Sequence, residues 1–134
     1  MKKELDEALC AKYPKIFANR NGDMRETCMC WGFECGDGWY TLLDELCEKL
    51  TVLVDKGVAS KIIADQVKEK YGTLRFYVST EGDPHMIVED VIAIAERQSS
   101  ITCEVCGEYG QITSDDGWLS VRCKKHREEE ENGV

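Results

Sequence analysis

Several things are scarce in this 134-residue chain, and each scarcity narrows what the protein is. No segment approaches the roughly 20 apolar residues that a membrane-crossing helix needs. The N-terminal "MKKELDEALCAKYPKIF" lacks the unbroken apolar core of a secretion signal, so a reducing, cytoplasmic setting is expected. Prolines number two, no internal repeat is present, and low complexity is confined to the extreme C-terminus. With 43% apolar and 32% charged residues, this is the composition of a globular domain able to bury a core. Histidine is nearly missing, with His85 and His126 the two present. Neither a phosphate-loop nor a dinucleotide-binding fingerprint occurs. Cations are in the minority, 17 Lys and Arg against 26 Asp and Glu, for a net charge of −9. Extended nucleic acid is bound chiefly by cations that neutralise phosphates, so wrapping of DNA or RNA is not expected. A small anion held in a locally basic site remains compatible with that balance.

Cysteine, by contrast, is abundant, at eight residues. In a reducing compartment these point to metal ligation or core packing before disulfides. "CEVCGEYG" supplies Cys103 and Cys106, and "CKKH" supplies Cys123 and His126. C-x2-C followed by C-x2-H offers three thiolates and an imidazole, a complete tetrahedral shell for a structural zinc ion. Gly107 and Gly110 let the backbone turn so that amides face the sulfurs. "QITSDDGWLSVRC" reads as a hairpin turning at Asp116-Gly117, and Cys123 to Glu131 as a helix carrying Cys123 and His126 at i and i+3. Knuckle, hairpin and helix in that order resemble a treble-clef zinc finger. Treble clefs that act as nucleases need a histidine in the hairpin, and this hairpin has none. Cys28, Cys30, Cys35 and Cys47 are read as small buried hydrophobes rather than a second metal site.

Upstream, Leu5 to Phe17 predicts a short helix interrupted near Pro14, and "ANRNGDMRET" a loop. "TCMCWGFEC" alternates in hydrophobicity and predicts a strand whose buried parity is open. Trp39, Leu42, Leu43, Leu46, Cys47, Leu50, Leu53 and Val54 make a helical stripe, led in by Asp37-Gly38 and closed by Lys56-Gly57. "DPHMIVEDVIAIAERQ" predicts a third helix with Asp83 as N-cap, Pro84 at its first position, and Ile87, Val88, Val91, Ile92 and Ala95 buried.

"QVKEKYGTLRFYVS" crowds Lys68, Lys70 and Arg75 into an acidic chain. Read as a hairpin around Gly72, one face carries Val67, Glu69, Tyr71, Leu74, Phe76 and Val78 and belongs on the helices. The opposite face carries Gln66, Lys68, Lys70, Arg75, Tyr77 and Ser79. Arg75 then faces Lys70 in one register and Lys68 in the other. Two readings stay open. In one, water and carboxylates such as Glu69 or the Glu128–Glu131 run solvate the face. In the other, Lys68, Lys70 and Arg75 hold a phosphate while Tyr77, with Trp39 as a second wall, stacks on an attached ring.

"GDGWYTLLDELCEKL", "VKEKYGTLRFY" and the terminal "CEVCG…C…H", in that order, resemble a family of small proteins encoded by bacteriophages and prophages. The likeness runs from about "YPKIF" to the zinc segment and carries over no catalytic residues. It implies an accessory role inside a bacterial host, where such proteins counter defences by gripping a host protein or sequestering a nucleotide signal. The expectation is therefore an α+β protein, with residues 1–100 as a small antiparallel sheet covered by two or three helices. Residues 101–134 form the zinc module with its acidic tail. The expected activity is non-enzymatic binding of an anionic, nucleotide-like molecule. The alternative is docking on a host protein through Trp118 or the acidic tail.

Overall fold

The apolar stripe of the central helix decides where the rest of the chain sits. The computed structural model describes residues 1–83 and 85–133. Helix α1 (Lys3–Lys12) leads through turns into a one-turn 3-10 segment, Met29–Trp31, and the short strand β1 (Phe33–Glu34). Helix α2 (Tyr40–Asp55) follows, then β2 (Ile62–Lys70), β3 (Thr73–Thr80) and α3 (Met86–Ser99). The last segment comprises β4 (Gln111–Asp115), β5 (Trp118–Arg122) and α4 (Lys124–Glu131). Leu42, Leu43, Leu46, Cys47 and Leu50 of α2 are buried as the stripe predicts, and Gly57 closes the helix with φ +76°. The chain is α+β, as expected.

A three-stranded sheet is ordered β1-β2-β3, with β2 and β3 antiparallel and β1 parallel to β2. The parallel pair requires a crossover, and α2 supplies it. The β2–β3 turn is Tyr71-Gly72, both with positive φ (55° and 85°), as a tight two-residue hairpin turn demands. Glu69 accepts the Gly72 amide at 3.0 Å and closes that turn. This register sets Lys68 opposite Arg75. Val67, Leu74 and Phe76 point into the core with Phe17 and Phe33, whose rings meet edge-on at 4.9 Å. Tyr71 was placed on that buried face by parity but is exposed, because the turn carries it past the end of the sheet.

Helix α3 covers β3 and also terminates it. The amides of Leu74 and Phe76 donate to Ser99 Oγ (2.8 Å) and Glu96 Oε2 (3.1 Å), so side chains satisfy an edge that lacks a fourth strand. Ser99, fully buried, thereby has a partner. Two expectations fail here. Asp83 does not cap α3; His85 does, its Nδ1 accepting the Ile87 amide at 3.1 Å, and Pro84 lies outside the described residues. Ile87 is exposed, since the buried stripe runs through Val88, Ile92, Ala95 and Ser99.

The strand predicted over "TCMCWGFEC" shrinks to two residues. Met29 and Phe33 are buried while Trp31 is 62% exposed, because the 3-10 turn breaks the alternation. Asp6 anchors this loop. It accepts from Arg20 Nε at 2.9 Å and from the Phe33 amide at 3.3 Å. Gly32 (φ +73°) passes so close that a Cβ would stand 2.5 Å from Asp6 Oδ2.

Candidate metal centre and basic sheet face

At the C-terminal end, knuckle, hairpin and helix follow one another in the order the sequence predicts for a treble-clef-like module. β4 and β5 turn at Asp116-Gly117, both with positive φ. Cys123 is the N-cap of α4, its Sγ accepting the His126 amide at 3.5 Å, so the helix start itself brings the third thiol to the imidazole. Cys103, Cys106, Cys123 and His126 place one donor atom each within 4.8 Å of all the others. The pairs Cys106–Cys123 and Cys103–His126 Nδ1 stand at 3.7 Å, and Cys123–His126 Nδ1 at 3.1 Å. All four sequence-predicted ligands are brought together as free thiols and a ring nitrogen, and they can bind a metal ion.

The surroundings act on the cluster's thiols in opposite directions, and burial above all pushes Cys106 up to about 11. Burial alone would raise the Cys103 thiol, but backbone donors from Cys123, Cys106 and Val105 outweigh it and bring it down to about 7. His126 turns Nδ1 to the sulfurs and Nε2 toward Glu129 Oε2 at 3.8 Å, an outer partner of the kind that orients a ligating imidazole. Glu129 has no separate signal in sequence because it sits within a run of four glutamates.

Five further thiols lie outside the cluster. Cys47 and Cys35 are buried, and burial pushes both up, Cys35 to about 12. Cys10, read as part of α1, rises to about 11 through burial and the nearby Asp6. Cys28 departs from expectation by being exposed and Cys30 by being half-buried, since both sit on the turn that replaces the strand.

What seats the module was not visible in sequence. Gly36 and Gly38 were read as a lead-in to α2, yet they lie directly against the knuckle. The Gly38 amide donates to Glu104 O at 2.8 Å and the Gly36 amide to Glu104 Oε2 at 2.8 Å. A Cβ on Gly38 would overlap the Cys103 carbonyl oxygen and come within 2.7 Å of the Cys106 nitrogen. Trp39 is fully buried, its indole Nε1 donating to Thr102 O at 2.9 Å. It therefore cannot wall a ligand site, and that assignment is corrected: the residue welds α2 to the module. Glu104, whose carboxyl is pushed up mainly by burial, also meets Arg122 at 3.9 Å.

The other predicted ligand residues share the outer sheet face. Lys68 and Arg75 face each other across β2–β3, with Tyr77 and Gln66 the next pair along and Lys70 beside the turn. Among the described residues, no carboxylate oxygen lies within 4.0 Å of a charged nitrogen of Lys68, Lys70 or Arg75. Arg75 is steadied by Thr73 Oγ1 at 2.8 Å, and Lys70 lies 5.6 Å from the Tyr71 ring. Of the expected neutralisers, Glu69 is committed to the turn, Glu129 faces His126 and Glu130 bonds Arg122 at 2.7 Å. The turn of this hairpin rests on β5, where a Cβ on Gly72 would stand 3.4 Å from the Ser120 nitrogen.

A cavity of 720 Å³ holds none of these residues. It is mainly apolar, walled by Tyr13, Ile16, Val52 and Ile62, with Lys15 and Lys61 at its rim. A smaller groove of 280 Å³ does reach Tyr77. No helix is long and apolar enough among the described residues to cross a membrane. No protein family, curated protein or solved structure matches this chain.

Proposed function

We propose that this chain is a zinc-stabilised, non-enzymatic binding protein that holds a phosphate-bearing small molecule on its outer sheet face. A tetrahedral ion with Zn–S near 2.3 Å separates its sulfurs by about 3.8 Å, and a Zn–N near 2.0 Å gives about 3.5 Å between sulfur and nitrogen. The distances in the cluster, 3.7 Å between sulfurs and 3.1–3.7 Å to the imidazole, support zinc. Four protein ligands fill the shell, so the ion's part is to fix the last third of the chain. The raised thiols of Cys10 and Cys35 and the capping role of His85 agree with a binding rather than a catalytic protein.

One observation carries the ligand reading: Lys68 opposes Arg75 with no carboxylate in reach among the described residues. Like charges directly opposite on a sheet cost about 0.2–1 kcal/mol, a cost a bound anion removes. The mainly apolar cavity is a poorer anion site, because Glu48 and Asp55 stand among its lysines. Inside a bacterial host, the setting the phage resemblance implies, sequestering a nucleotide signal would be the corresponding counter-defence task. Calorimetric titration with pyrophosphate tests the anion site. Saturable binding that Arg75→Ala and Lys68→Ala each weaken at least tenfold is expected. Absence of binding to the zinc-loaded protein refutes it. A second reading, docking on a host protein, is favoured by Trp118, which is 73% exposed at the tip of the zinc hairpin.

A further inference from the structure

Resting on the anion reading of the sheet face, we infer that the adjoining 280 Å³ groove is a nucleobase subsite. The ligand is then a nucleoside phosphate whose base presents adjacent ring and exocyclic N–H donors, as guanine does and uracil does not. The groove lies where the loop after α1 leans over β2 and β3, and Thr27 Oγ1 ties that loop to Asp65 O at 3.4 Å. Met24 and Tyr77 both line it and are 66% and 44% exposed, an unbranched thioether and a phenol ring in position to meet a planar ring on its faces.

Its polar lining is mixed in charge, the carboxylates of Glu26 and Asp65 outnumbering Arg25, whose Nε lies 3.8 Å from Asp23 Oδ1. The β2 register shifts between Ala64 and Gln66, and this bulge turns the Asp65 side chain to the outer face, where Oδ2 accepts from Ser79 Oγ at 2.5 Å. Among the described residues no donor reaches the other Asp65 oxygen. Gln66, bonded to Glu34 through Nε2 at 3.4 Å, keeps its amide oxygen as an acceptor, and Glu26 adds a second carboxylate. These acceptors match ring and exocyclic N–H groups, as carboxylates do with amino-bearing bases.

Spacing links the two halves. Gln66–Tyr77 and Lys68–Arg75 are successive same-face pairs, two residues apart along the strands, or about 6.6 Å. A ribose bridges a gap of that size between base and phosphate. Cations at one end and acceptors at the other fix the ligand's direction along the face. The groove's volume suits one base rather than two.

Calorimetry on the full-length, metal-loaded chain decides it, with pyrophosphate, ribose 5-phosphate, GMP and UMP as probes. GMP should bind about tenfold tighter than ribose 5-phosphate, the range of one stacked base. Tyr77→Ala and Asp65→Asn should each reduce that preference while leaving pyrophosphate affinity unchanged. Ribose 5-phosphate binding as tightly as GMP overturns the base subsite and leaves the anion face standing, as does a GMP preference intact in both variants. UMP binding as tightly as GMP overturns the donor-edge assignment. Failure of all four probes removes the anion face and the subsite together.

Discussion

A single methyl group added to the core should loosen a metal ion bound more than sixty residues away. Gly38 packs against the knuckle backbone, and Gly38→Ala drives a Cβ into the Cys103 carbonyl and to 2.7 Å from the Cys106 amide. Both obstacles are main chain, held by the two ligand residues, so neither can swing aside as a side chain would. Overpacking of this kind costs about 1–3 kcal/mol, and the rigidity of both surfaces argues for about 3 kcal/mol. For a domain of this size that is a fall in Tm of about 10 °C. Where the strain is relieved by displacing the knuckle, metal affinity falls by up to about 100-fold, since 1.4 kcal/mol is tenfold. Gly82→Ala is the control: its φ of +73° makes alanine strained, about 1–2 kcal/mol, but nothing lies within 4 Å. Chelator competition and thermal unfolding on both variants separate the effects. Gly82→Ala should lower Tm modestly with metal affinity unchanged. Wild-type metal affinity and Tm in Gly38→Ala would refute the contact.

Further outcomes follow from the same structure. Cys103→Ser should lose the single metal ion in native mass spectrometry and deprotect β4, β5 and α4 in hydrogen exchange, whereas Cys47→Ser keeps the ion and costs about 1–3 kcal/mol for a buried hydroxyl. Asp6→Ala strands Arg20 and the Phe33 amide, and urea unfolding should show a loss of about 2–4 kcal/mol. Burial and then Asp44 push Tyr13 up to about 12. A raised folded pKa stabilises below the unfolded value, so the contribution should fade as pH climbs from about 10 toward 12. Asp44 is held below the usual carboxylate range by the Tyr13 hydroxyl and then Lys12, so its share is lost as pH falls through that lowered value. Tyr13→Phe should flatten the alkaline limb of a stability–pH profile and Asp44→Asn the acid limb.

Features set by local periodicity could be read from sequence alone. The α2 stripe, a turn at Gly72 with its register open, the Asp116-Gly117 turn and the two C-x2-C and C-x2-H donor pairs each depend on neighbours within a few residues. What escaped depends on distant partners. Trp39 fits both the α2 stripe and a ligand wall in sequence, because nothing local announces that Thr102 accepts its indole. Gly38 reads as no more than an entry residue of α2, because Glu104, which accepts its amide, is far along the chain. The Met29–Trp31 turn carries the same alternation as a strand, and only the burial of Met29 and Phe33 around an exposed Trp31 tells them apart. His85 displaced Asp83 as cap because an imidazole nitrogen accepts an amide as a carboxylate would.

The tightest part of the seam between finger and core sets glycine main chain against knuckle main chain, and it has no room for a larger residue. Trp39 and Glu104 tie the two sides together, but a substituent at either glycine pushes them apart. A chimera that borrowed residues 101–134 for another scaffold would arrive without its socket. The finger and the Gly36–Gly38 step must travel together, although the chain writes them far apart.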